Sequence, residues 1–157
     1  MVIATGFFAV LCLLSGMLAW IDIRHGIIPN ELNLAIAALG LARAAVTDSA
    51  SAGVYAACAG ITIGATTWLL RRLYFALRNV QGLGLGDVKL LAAAGTWIGA
   101  TGVPTLLLVA TLTALASIAV MRLAGRRMTQ QTSIPFGPYL ALGLVVTVAV
   151  QQPWSCC

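Results

Sequence analysis

Apolar residues run in long stretches along this chain, and the charged residues gather in the gaps between them. Reading for these runs gives about six candidate spans, at approximately residues 2–21, 32–46, 54–70, 88–101, 105–121 and 134–150. A helix needs roughly 20 apolar residues to cross a bilayer. The second and fourth runs are short by that measure, so they take in part of a flanking loop or start below the membrane surface. The first run has no basic stretch ahead of it and further apolar runs follow, so it reads as a membrane helix rather than a cleaved signal peptide. The pattern predicts an all-α, polytopic membrane helix bundle.

Composition agrees. Of 157 residues, 61% are hydrophobic and 8% charged, and the mean hydropathy is +0.99. A soluble domain of this size carries roughly a quarter charged residues. Lipid is therefore the expected solvent for most of the surface, and residues 1–157 read as one compact membrane domain. No repeat or low-complexity segment interrupts it. Cys12, Cys58, Cys156 and Cys157 form no CxxC pair, so no metal site is expected. Cys12 and Cys58 sit in apolar runs as small packing residues. Cys156 and Cys157 read as a frayed tail, with oxidation or lipidation as alternatives.

The basic residues give an orientation. Arg24 lies between the first two runs; Arg71, Arg72, Arg78 and Lys89 lie between or beside the third and fourth; Arg122, Arg126 and Arg127 lie between the fifth and sixth. Only Arg43 falls on the other side. The positive-inside rule puts the side with eight of the nine in the cytoplasm and both chain ends outside. The net charge of +5 is thus explained by topology. No nucleic-acid partner is expected, and anionic lipid headgroups are the secondary attraction.

Four acids are present: Asp22, Glu31, Asp48 and Asp87. Asp48 shares the outer loop with Arg43. Asp22 closes the first run and Asp87 opens the fourth, both on the cytoplasmic side. Ionisable groups at membrane depth are costly and are functional candidates for that reason, although either Asp alone reads as well as an interfacial anchor or cap. Before Asp87, glycine takes every second position, at Gly82, Gly84 and Gly86. Glycine lets another backbone approach closely, as a peptide lying against a carboxylate requires. A plain flexible loop would look the same. No Lys-Ser or Lys-Thr follows in the pattern of a phosphate loop.

Two carboxylates suit peptide hydrolysis without a metal or a nucleophilic side chain. One takes a proton from water while the other, protonated, polarises the carbonyl. The two share a proton, so base and acid are not assigned individually. His25, the single histidine, has no evident Ser or Cys partner and reads as a solvated or interfacial residue. Glu31 reads as a solvated helix-start acid, with attraction of a basic peptide as the alternative.

Three segments carry a resemblance. They are Asp22-Ile-Arg-His-Gly-Ile-Ile28-Pro29-Asn30, then Gly84-Leu85-Gly86-Asp87-Val88-Lys89, then Ile134-Pro135-Phe136-Gly137-Pro138-Tyr139. In this order, on one membrane side, the chain resembles the type IV prepilin peptidases. These include the short peptidase-only forms of Tad-type pili and the archaeal preflagellin peptidases. The resemblance implies an aspartic-type endopeptidase with Asp22 and Asp87 as the catalytic pair and no cofactor. Its substrates would be prepilins or pseudopilins, cut after a Gly at the end of a basic leader, at the cytoplasmic face of the inner membrane. Longer bacterial members carry an N-terminal region with two CxxC pairs, associated with N-methylation. That region is absent from residues 1–157, so methyltransferase activity is not expected.

Several motif residues have physical readings too. Pro29 fits a helix start. Pro135, Gly137 and Pro138 fit a membrane-entry turn or a wall of the cleft beside the aspartates. Gly84, Gly86 and Asn30 are motif-supporting positions. Lys89 either holds a carboxylate ionised or marks the cytoplasmic boundary. Gly60, Gly64 and Ala65 suit helix packing, within the chain or between copies. Two other functions remain open: a related intramembrane aspartic protease with a non-pilin substrate, and a small proton-coupled transporter. The acids lie at one end of apolar spans, which disfavours transport.

Overall fold

Lipid offers no partner to a backbone N–H or C=O, so a chain this apolar satisfies its backbone within helices. The computed structural model describes residues 2–78, 84–123 and 136–151. Every element among them is a helix: α1 (Val2–His25), α2 (Asn30–Thr47), α3 (Ala50–Arg78), α4 (Leu85–Leu123) and α5 (Gly137–Gln151). The fold is an all-α bundle. Three of these helices, α1, α3 and α4, are long and apolar enough to cross a membrane, and α5 is a shorter apolar helix.

Five helices stand where the sequence predicts about six spans, because runs 88–101 and 105–121 belong to one element. Unbroken, the 39 residues of α4 would reach about 58 Å, nearly twice a bilayer core. They do not run straight. Gly99 adopts φ 63°, ψ −175°, a conformation almost confined to glycine, and splits α4 into two arms. Contacts around α5 show that the arms run in opposite directions: Gly86, at the start of the first arm, and Gly137, at the start of α5, both meet the Ile28 side chain. Ser117, late in the second arm, hydrogen-bonds Tyr139 near the start of α5 at 2.6 Å. At the other end of α5, Gln151 Nε2 donates to the Ile98 carbonyl at 3.4 Å, just before the break. The chain therefore climbs to Gly99 and returns.

Small residues set the helix spacing, as expected where lipid tails remove the hydrophobic drive between helices. At the α3–α4 crossing, a Cβ on Gly95 would lie 3.0 Å from the Gly60 Cα, and one on Gly60 would lie 2.9 Å from the Ala92 carbonyl oxygen. Gly40 gives α4 the same access to α2, where the Trp97 indole N–H donates to the Ile36 carbonyl at 2.9 Å. The core between these contacts is built from Leu11, Leu18, Ile36, Leu90, Leu106, Leu140 and Leu144, all essentially inaccessible.

Candidate active site

On α1 the buried positions Leu11, Ser15, Leu18 and Asp22 recur at spacings of three and four, one stripe of a helix. Asp22 is thus the last residue of the inward face, and it is 5% exposed. One turn later the helix stops. Gly26 takes φ 63° and its N–H donates to the Asp22 carbonyl at 2.8 Å, a glycine C-terminal closure. Pro29 follows in extended conformation and precedes the first residue of α2, Asn30. The short turn thereby carries Ile28 inward beside Asp22.

Asp87 sits in the first turn of α4, half-buried. The Gly84 N–H donates to its carboxylate. A side chain reaching back to the residue before the helix satisfies a backbone donor that the helix leaves open, as in a capping box. The Gly137 N–H, at the start of α5, donates likewise to the Asp22 carboxylate. Each candidate carboxylate is held by a helix start, where backbone donors and the helix dipole favour negative charge. The two are close enough for their charges to interact.

The helices bearing them do not pack on each other. Among the described residues α1 contacts α2 and α5, while α4 contacts α2, α3 and α5. A site made of Asp22 and Asp87 does not need spans one and four side by side, as an expectation from sequence alone would have it: α5 and the turn after α1 bridge them. Ile28 is the wedge. A Cβ on Gly86 would lie 3.0 Å from the Ile28 Cδ1, and one on Gly137 would lie 3.1 Å from the same atom. A Cβ on Gly137 would also collide with the Asp22 carboxylate, 2.9 Å from its Cγ. Glycine at 86 and 137 is thus a requirement of close approach around Ile28. Ile28 was not singled out from the sequence; its place ahead of Pro29 in the first motif was the available signal.

Lys89 and Asn30 come together, but away from the carboxylates. The Lys89 Nζ donates to the Asn30 Oδ1 at 2.7 Å, and both residues line a groove between α2, α3 and α4 that neither aspartate reaches. Pro138 is half-buried as the second residue of α5. His25 and Glu31 are exposed. Pro135, and the residues Gln81, Gly82, Leu83, Arg126, Arg127, Ile134, Cys156 and Cys157, lie outside the described residues. Among the described residues no three His, Cys, Asp or Glu side chains cluster as a metal site.

Comparison with known proteins bears on this arrangement. Residues 9–119 match the type IV leader peptidase family. The chain is 38% identical over 134 residues to a protein of Escherichia coli K12 called prepilin leader peptidase/N-methyltransferase, covering 83% of this chain and 57% of that one. Proteins of the same name from Xanthomonas campestris and Burkholderia pseudomallei are 35% and 34% identical over 132 and 136 residues, covering 83% and 85% of this chain and 45% and 43% of theirs. The chain thus spans about half the length of the curated relatives it matches. No solved structure matches it. The match over most of the chain and the long apolar helices lead to one conclusion: this is an integral membrane protein belonging to the type IV leader peptidase family.

Proposed function

We propose that this chain is a prepilin leader peptidase of the aspartic type, with Asp22 and Asp87 as the catalytic pair. The observation that carries the reading is the convergence of these two carboxylates at one end of the bundle, each accepting a backbone N–H from a different helix start. In the proposed reaction a water lies between the two carboxylates. One carboxylate removes a proton from the water, whose oxygen bonds to the scissile carbonyl carbon. The other, protonated, donates to the carbonyl oxygen and supports the tetrahedral intermediate. The C–N bond then breaks and the leaving amine takes up the transferred proton. The pair shares one proton at the outset because two adjacent carboxylates resist ionising together.

The substrate is a prepilin or pseudopilin, cut after the Gly that ends its basic leader. The relatives' name and the motifs around Asp22, Asp87 and Gly137 support that choice. The site faces the cytoplasm in the inner membrane, with both chain ends outside, on the strength of the basic residues near Asp22 and Asp87. Gly84, Gly86 and Gly137 act by leaving room for the carboxylates and for Ile28, while Pro29 and Pro138 shape the turns beside them.

The deciding experiment is co-expression with candidate pilins, reading leader loss by mass spectrometry. Asp22→Asn and Asp87→Asn are each expected to abolish leader removal, by about 10³-fold or more in rate, while the protein still inserts. Cleavage at the wild-type rate by either variant, in detergent or liposomes, overturns the assignment.

A further inference from the structure

A groove of about 850 Å³ lies between α2 and α3, with the first arm of α4 as its floor. Its walls are mostly aliphatic, with Ala37 and Gly64 along them, and no acidic residue lines it. One end is different. Lys89 stands there with its ammonium held by the neutral amide of Asn30, so its charge has no carboxylate partner within the groove. Asn33, in the next turn of α2, is 5% exposed, and neither its Nδ2 nor its Oδ1 has a hydrogen-bond partner. Trp68 lines the groove from α3, and the Arg72 guanidinium lies 4.9 Å above its ring. A tryptophan with a cation beside it is typical of the membrane–water boundary.

A buried amide with both ends unpaired is costly, and the exposed Lys89 ammonium beside it has no carboxylate in the groove. What completes this site carries a negative charge, hydrogen-bond acceptors and a donor on an apolar tail. We propose that the groove binds an anionic phospholipid, with its phosphodiester at Lys89 and its acyl chain along the slot. The Asn33 amide, whose polar atoms are buried as the groove stands, turns toward it so that Nδ2 donates to a phosphate or ester oxygen and Oδ1 accepts from a headgroup hydroxyl. A transmembrane peptide helix fits these groups less well, because its backbone donors and acceptors are already used internally. A basic leader would also be repelled by Lys89 and Arg72. Lipid binding here does not depend on the peptidase reading, and it would survive the loss of that reading.

The test is native mass spectrometry of the detergent-purified chain, titrated with phosphatidylglycerol and with phosphatidylcholine of identical acyl chains. Both lipids carry the phosphodiester, but only phosphatidylglycerol has a net negative charge and a headgroup hydroxyl, while choline sets a cation near Lys89 and Arg72; wild-type protein is therefore expected to retain phosphatidylglycerol over phosphatidylcholine by about tenfold. Lys89→Gln is expected to bring the two lipids near parity, Lys89→Arg to keep the preference, and Asn33→Leu to weaken phosphatidylglycerol retention, all with wild-type helix content by circular dichroism. Equal retention of both lipids by wild-type protein overturns the proposal, as does unchanged preference in Lys89→Gln. A prepilin peptide that crosslinks to a photoreactive residue at Ala37, where lipid does not, makes the groove a peptide subsite and also overturns it.

Discussion

At Gly137 a hydrogen stands where any other residue would place a carbon against the Asp22 carboxylate. The same residue supplies the N–H that this carboxylate accepts. Replacing it therefore displaces the acid without removing it. Gly137→Ala is expected to lower the cleavage rate by about a hundredfold, the effect of misplacing a reacting group by about 1 Å, with insertion intact. Steady-state cleavage of a prepilin peptide checks this, and a variant of wild-type rate would show that Asp22 has slack on that side. The motif Gly-Pro at 137–138 is visible in the sequence, but the reason for the glycine is not. It depends on an atom more than a hundred residues earlier, and no local spacing encodes that contact.

Within elements, α4 shows how one dihedral angle sets topology. Its second arm begins after Gly99, and Pro104 sits early in that arm, where little helix precedes it to be broken. A Cβ on Gly99 would meet nothing within 4 Å, so the cost of a side chain there is backbone strain alone. Gly99→Ala is expected to destabilise the protein by about 1–3 kcal/mol, read as a lowered midpoint of thermal unfolding in detergent. The α3–α4 crossing offers a contrasting case. Gly60 has normal helical geometry but no room, so Gly60→Val is expected to cost about 1–3 kcal/mol by overpacking against Ala92 and Thr96. The same unfolding measurement applies, and a smaller substitution such as Gly60→Ala should cost less. If valine were tolerated as well as alanine, the crossing would not be tight.

For the whole molecule, the distribution of charge and the path of the chain make one testable statement about orientation. Arg24 follows Asp22 at one end of the bundle, while Arg43 lies 3.8 Å from Asp48 at the other. In a background with its cysteines changed to serine, Asp48→Cys is expected to react with a membrane-impermeant maleimide in intact cells. Arg24→Cys is expected to react only after permeabilisation. The reverse pattern would invert the proposed topology and remove the site from the cytoplasm. The proposed orientation requires an even number of passes, and the break at Gly99 divides α4 into two arms.

The all-α membrane architecture was legible in the sequence because lipid imposes one rule on every residue. Apolar runs of sufficient length must be helices, and basic residues must collect on one side. Asp22 and Asp87 stand out as candidates for the same reason, as scarce acids at the ends of apolar runs. Helix ends were less so: the third run, read as 54–70, extends to Ala50–Arg78, since amphipathic ends carry charges past the apolar core. What only the tertiary structure decided is who stands next to whom. It joined Lys89 to Asn30 on a groove between α2, α3 and α4 and left Asn33 unpaired there, and it gave Asp22 and Asp87 their amides from Gly137 and Gly84. It also put α5 and Ile28 between the helices that bear the acids. Hydropathy is a property of each residue in its solvent and can be read along the chain. Proximity is a property of pairs, fixed by how glycine-spaced helices close on one another, and it appears only once they have packed.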